Sequence, residues 1–398
     1  MKTPRTSLRC AVLAIALSLT ATRFVHADGI GVDPPYTDYD PHRLLLGRTL
    51  AAQVWDDLQA RKNALVPITL GAWHWWRIPT GGPGFGGYGS PTLPGTYYYY
   101  VQIDPLWYTG GKWVQSMGLH ADMRFREGRA FRSTMSPVFW PFEAYAWAET
   151  TAGVFKAGQL RRRLGIEWDG SFYGNVAYYD GFKLNSDIGV SWEHTFWLRP
   201  KFSIESTAQF FFREDGISSG LSGADTESTS AFRLQNNAVF RVVPTWWISR
   251  TSSLALGLTG SIAQAKAQLP GYRDHALSLW GIDLTYTRGR FKTFAEVLQR
   301  NGAVNPTRYV SGGMSTRTTD FIVGTSYATG PVTWRMAYSA GYDAHPGGRQ
   351  FMFVPGVTIA LTQNIDLYLE YVKWRVTNPI AGSTTYENGF QVALNWRF

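Results

Sequence analysis

Cysteine is almost missing from this chain: Cys10 is the only one in 398 residues. It lies in an N-terminal stretch where Lys2, Arg5 and Arg9 precede an apolar run from Ala11 to Leu19, and Val25-His26-Ala27 has the small-x-small form of a cleavage site. Residues 1–27 read as a secretory signal peptide, because the apolar run is far shorter than the roughly 20 residues that span a bilayer. The exported chain then has no thiol, which excludes disulfides and thiolate metal sites. Long apolar runs are missing as well. Hydrophobic residues make up 44% of the chain, but they fall at alternate positions, so no later stretch is a candidate membrane helix. Charge is scarce at 17%. Cleavage removes four of the 38 basic residues and none of the 29 acidic ones, which lowers the net charge from +9 to +5. That mild excess, with no Lys/Arg-rich run, argues against a nucleic-acid partner. The Gly-x-Ser-x-Gly elbow, the Walker loop, His-Glu-x-x-His and metal-spaced histidine pairs are all lacking, so no catalytic residue, metal or cofactor is expected.

What the chain does have is aromatics (15%), 41 glycines and a period of two. Tyr386, Asn388, Phe390, Val392, Leu394, Trp396 and Phe398 fall on one side of the last segment, and Glu387, Gly389, Gln391, Ala393, Asn395 and Arg397 on the other. A strand there has one oily and one polar face. From residue 68 onward such segments alternate with Gly-, Pro-, Asn- or Asp-rich breaks. They predict strands near 68–77, 96–104, 112–126, 142–151, 153–162, 183–198, 201–213, 231–243, 246–263, 276–288, 290–300, 318–329, 331–343, 349–362, 364–376 and 384–398, about sixteen in all. Tight joins such as Arg288-Gly289-Arg290 and Thr329-Gly330-Pro331 alternate with long ones such as 215–230 and 302–317. The fold class is therefore all-β: an antiparallel transmembrane barrel over 67–398, whose closure pairs every backbone polar group while one face of each strand meets lipid. A soluble sandwich or propeller is the competing class.

Facing follows from cost. A charge on the lipid face at the bilayer midplane costs about 2–4 kcal/mol, so the charged side of each strand is the wet side. Met117, Leu119 and Phe125 then face lipid, while His120, Asp122, Arg124 and Arg126 face the lumen. Alternation slips in 246–263 and in 364–376, where Lys373 and Arg375 share parity with Leu369 and Tyr371. These slips predict a bulge or positions above the membrane. Trp246-Trp247 and Trp280 read as interfacial girdle residues. Residues 28–66 differ: Asp40 with Pro41, then Leu46, Leu50, Val54 and Leu58, predict a short amphipathic helix ahead of the barrel.

An apolar last strand that ends on an aromatic residue, Phe398, resembles the closing strand of bacterial outer-membrane β-barrels. In that family the terminal Phe is read by the barrel assembly machinery. The resemblance implies an outer-membrane address in a Gram-negative cell, with outer-membrane lipid and lipopolysaccharide as surroundings. The size is similar to that of porins, which implies a water-filled pore for passive diffusion of small hydrophilic solutes; general porins are homotrimers. Leu44-Leu45-Leu46-Gly47 before the helix faintly resembles the entry of carbohydrate-selective porins. Gly47-Arg48-Thr49 stands where that family usually has Gly-Asp-Trp-Gly-Gly.

Residues 165–182, rich in Gly and Tyr, take the place of the porin loop that folds inward to constrict the pore. The resemblance implies a constriction with Glu167, Asp169 and Asp180 on the loop and Tyr173, Tyr178 and Tyr179 beside them. Arg124, Arg126, Lys156 and Arg162 would oppose them from the wall, with Arg233 and Arg335 as further candidates. Facing charges of opposite sign would set up a transverse field. Two other readings stand beside this one. These charges could simply be solvated lumen groups, or Arg161-Arg162-Arg163 could sit at the extracellular rim and bind lipopolysaccharide phosphates. Tyr97–Tyr100 and the loop tyrosines favour a carbohydrate solute, while the positive charge favours phosphate or another anion. A non-channel barrel, with a structural, receptor or lipid-modifying role, is the remaining alternative; His120, His194 and His275 read as lumen or loop residues.

Overall fold

The computed structural model describes residues 64–65, 68–81, 96–127, 138–166, 186–213, 232–268, 270, 273–302, 317–343, 348–362, 364–378 and 383–397. The predicted signal peptide (1–27), the predicted helix within 28–66 and Phe398 lie outside them. In chain order the strands are β1 (Ala64–Leu65), β2 (Ile68–Gly81), β3 (Thr96–Ile103), β4 (Leu106–Tyr108), β5 (Val114–Glu127), β6 (Val138–Thr150), β7 (Gly153–Arg161), β8 (Ser186–Arg199) and β9 (Phe202–Arg213). There follow β10 (Phe232–Ser249), β11 (Ser252–Ala267), β12 (His275–Arg288), β13 (Phe291–Asn301), β14 (Arg317–Thr329), β15 (Val332–Asp343), β16 (Arg349–Thr362), β17 (Ile365–Asn378) and β18 (Ser383–Arg397). Among the described residues there is no helix.

These segments build a closed antiparallel barrel of sixteen staves. Ile103 pairs with Ala121 and Leu106 with Gly118 in one unbroken register, so β3 and β4 are one stave interrupted at Asp104-Pro105. Proline has no N–H to give to a ladder, which explains the gap. Leu65 pairs with Leu106 as Ile68 pairs with Ile103, so β1 likewise continues into β2. The barrel closes between β18 and β2, from Arg397 opposite Gly71 to Asn388 opposite Gly81. Closure leaves no edge strand and lets the wall cross a bilayer. Turns at 151–152, 200–201, 250–251, 289–290 and 330–331 share a rim with the barrel's two ends; the longer connections join strands at the other rim.

Burial alternates along the wall. Phe240, Leu258, Ile282, Leu284, Val323 and Met336 are exposed on the outer face, while Gln209, Arg241, Thr259, Asp283 and Glu296 on the alternate positions are buried. This matches the predicted faces, with three corrections. Pro244 does not end a strand: it lies within β10, opposite Ile204 of β9, and the turn comes later, at 250–251. One lost donor costs the ladder a single bond without shifting its register. The parity slip expected between 246 and 263 corresponds to the register shift between Trp247 and Ser249 and to the turn at 250–251. Because neighbours in a strand face opposite ways, only Trp246 joins the outer girdle; Trp247 points inward and donates its Nε1–H to Ser203 Oγ at 3.1 Å. In β17 the structure excludes one of the two expected readings, the bulge. The register against β18 runs unbroken from Ile365 to Asn378, so Lys373 and Arg375 lie on the outer face.

Candidate pore constriction

Strand β7 ends by turning into the lumen. On it, Lys156, Gly158 and Leu160 lie opposite Ser191, Gly189 and Asp187, on the inward face. After Arg161, still paired with Ser186, the chain leaves the wall, and residues 162–166 cross the barrel as a strap. The path is fixed by four hydrogen bonds to three different staves. The Gln209 amide of β9 both accepts from the Arg163 N–H at 2.8 Å and donates to the Arg161 carbonyl at 2.9 Å. The Gly165 N–H donates to Thr259 Oγ1 of β11 at 3.2 Å, and the Ile166 N–H donates to the Glu296 carboxylate of β13. Gly165 has left-handed backbone, with φ at 65°, a conformation that costs glycine nothing.

Apolar contacts seal the crossing. Leu160 and Leu164 pack with Phe211, Val239, Leu279 and Leu298, and Tyr145 of β6 joins from the other side. That cluster reaches from β6 to β13, which are on opposite sides of the lumen in a barrel of this strand order. Ile166 continues it against Phe294, Ile322 and Ala337. Leu164 is 1% exposed. The lumen is thus not a uniformly polar tube: one section of it has a dry core.

Charges surround that core as pairs. Behind the strap, the Arg241 guanidinium donates to Asp283 through both terminal nitrogens, at 2.6 and 3.0 Å, and to Thr259 Oγ1 at 2.6 Å. The same Thr259 hydroxyl oxygen accepts from the strap. Gly257 lies beneath this pair: a Cβ there would be 2.1 Å from Asp283 Oδ2. Arg162 pairs with Asp187 at 3.3 Å, both almost fully buried. The wall of β5–β8 also carries two partly exposed pairs. Its Arg124–Asp122 pair, at 2.9 Å, leaves the arginine side chain 25% exposed, and in the Lys156–Glu193 pair, also at 2.9 Å, the side chains are 16% and 24% exposed. Arg124 also stacks over Phe142, 3.4 Å from the ring centroid. His120 meets Asp104 at 2.6 Å in the same wall.

The structure therefore brings together Arg124, Lys156 and Arg162 on one side of the lumen, each with a carboxylate partner. Arg126 lies in β5, but its side chain is outside the described residues, as are Glu167, Asp169, Tyr173, Tyr178, Tyr179 and Asp180. Two expectations are corrected. Arg161 and Arg162 are buried inside the barrel, not displayed at its rim, because the chain turns inward beside them. Tyr99 faces outward, where it packs near Phe125 and His74, so it is not a lumen ring. The residues that dock the strap, Leu160, Leu164, Gln209, Thr259 and Glu296, were missed. Their only sequence signal is apolar residues spaced through a basic run.

No protein-family model matches the sequence, and no curated protein matches it either. Solved structures do match. The outer membrane protein OmpT of Vibrio cholerae in its trimer form superposes with a TM-score of 0.58 at 12% identity, covering 85% of this chain and 100% of that one. Salmonella typhi OmpF in complex with daunomycin gives 0.58 at 12% identity, covering 84% and 98%. The anion-selective porin from Comamonas acidovorans gives 0.54 at 11%, covering 84% and 100%. At such identities the likeness is one of fold, and the fold is that of the general outer-membrane porins.

Proposed function

We propose that this protein is an outer-membrane channel for passive diffusion of small hydrophilic solutes. The observation that carries the reading is a closed barrel with an apolar outer face, crossed inside by a strap anchored wall to wall. A membrane-spanning barrel with a narrowed lumen does what a size-limiting pore requires. The solute path runs along the β5–β8 wall, where the lumen charges retain exposure. Asp122–Arg124 and Lys156–Glu193 present dipolar pairs there and no single-signed ring, which favours polar solutes, sugars among them, over strong anion preference. Export by the signal peptide, recognition of Phe398 by the assembly machinery and assembly as a homotrimer belong to the same reading. Migration on gels before and after boiling tests the trimer.

Conductance tests the channel. In planar bilayers the folded protein is expected to give ohmic openings with a reversal potential near zero in a salt gradient, reduced by added sugars. A reversal potential close to that of chloride would move the reading to an anion porin, and folded protein without openings would end it. Because Glu167 follows directly on the anchored Ile166, we place Glu167, Asp169 and Asp180 at the constriction. Asp169→Asn with Asp180→Asn then shifts selectivity toward anions; no shift removes them from the pore.

A further inference from the structure

The outer wall of β14–β18 near the loop rim carries cations that the channel does not use. Arg349, Lys373 and Arg375 are all exposed on the lipid-facing side. Their positions follow from the ladder. Arg349 is opposite Thr377 and Arg375 opposite Phe351, so the two arginines are diagonal neighbours, about 7–8 Å apart. Lys373 is two residues from Arg375 on the same face, about 7 Å away. Among the described residues no carboxylate occupies an outward position of β14–β18. Lys266, another outward lysine near the same rim, differs: it is paired with Asp274 at 2.6 Å.

Depth decides what these cations meet. From the turn at Asn364 to Lys373, a strand rising about 3.3 Å per residue at about 40° tilt climbs about 23 Å, close to the top of a ~25 Å apolar band. Just below and beside them is an aromatic belt: Phe321 against Tyr338 and Tyr342, Tyr338 against Phe351, and Tyr371 against Phe390. Aromatic belts mark the interface between hydrocarbon and headgroups. Three close cations at that level, on a face without carboxylates, need anionic partners in the headgroup layer. Two of them are guanidinium groups, which match phosphate oxygens in a bidentate fork.

We infer that Arg349, Lys373 and Arg375 form a binding site for the phosphates of lipopolysaccharide in the outer leaflet. The site rests on the outer-membrane placement and is independent of conduction. It takes the role that Arg161 and Arg162, buried in the lumen, cannot fill. The test compares the full mature protein with the Arg349→Gln/Lys373→Gln/Arg375→Gln variant in detergent. Bisphosphorylated lipid A, and lipid A stripped of phosphate, are each titrated and bound lipid is counted by native mass spectrometry. The triple variant should bind lipid A about a hundredfold more weakly, since each cation near an anionic surface contributes about a factor of five. Phosphate-free lipid A should bind the unaltered protein equally weakly, Lys266→Gln should change nothing, and inorganic phosphate should not compete. Equal lipid A binding by the triple variant and the unaltered protein overturns the site, as does equal binding of phosphate-free lipid. Displacement by inorganic phosphate makes it a site for free phosphate and overturns the lipid assignment. Unchanged bilayer conductance of the triple variant keeps this outcome separate from the channel reading.

Discussion

Replacing Leu164 and Ile166 together with serine is expected to raise single-channel conductance several-fold while the barrel stays assembled. The strap is held by two kinds of interaction with different magnitudes. Truncating a buried Leu or Ile costs about 2–5 kcal/mol, so the pair of changes removes about 4–10 kcal/mol of docking. The four hydrogen bonds to Gln209, Thr259 and Glu296 contribute about 0.5–1.5 kcal/mol each, about 2–6 kcal/mol together. Ordering five residues opposes docking by about 5–10 kcal/mol at about 1–2 kcal/mol per residue. Without its apolar anchors the strap therefore loses its hold, and the lumen widens where Leu164 now bridges it. The wall ladders do not pass through the strap, so heat-modifiable migration on gels should be kept. Leu164→Met, which conserves volume, should leave conductance as it was. An unchanged conductance in the serine variant would show that the strap is not what limits flow.

The wall of this barrel was legible in the sequence because alternation is a local signal. Each lipid-facing position pays for a wrong residue on its own, so Met336, Tyr338 and Tyr342 announce their side without knowledge of any partner strand. Pro244 misled because a proline inside a run commonly marks a break, yet here only one of its two neighbours needs its donor. Lys373 and Arg375 looked like an irregularity because they obey the wall's parity while breaking its chemistry; only depth along β17 resolves that. The strap was half visible. An inward loop was expected to begin at Gly165, but the crossing starts at Arg162, and its anchors come from β9, β11 and β13. Contacts between residues such as Ile166 and Glu296 are set by barrel closure, and no periodicity records them.

A second large effect is expected at Arg241. Arg241→Ala should lower the denaturant midpoint of the folded barrel, followed by tryptophan fluorescence, by the equivalent of about 3–5 kcal/mol. The change leaves the Asp283 carboxylate buried without its two guanidinium bonds, and an uncompensated buried charge is what makes such removals costly. It also frees Thr259, which holds Gly165 of the strap, so conductance should become noisier in the same variant. The comparison with a partly exposed pair is the control. Lys156→Gln breaks a pair whose side chains are 16% and 24% exposed, where water screens the loss, and should cost about 1 kcal/mol or less. Replacing both partners, Arg241→Met with Asp283→Leu, should recover most of the stability, since a buried pair often gains little over apolar residues of similar volume. Gly257→Ala approaches the same pair from below. Its Cβ would lie 2.1 Å from Asp283 Oδ2, so the carboxylate must move off the arginine, and the midpoint should fall in the same direction with every charge still present. If Arg241→Ala and Lys156→Gln cost the same, burial does not set the value of these pairs, and the distinction between buried and partly exposed pairs fails with it.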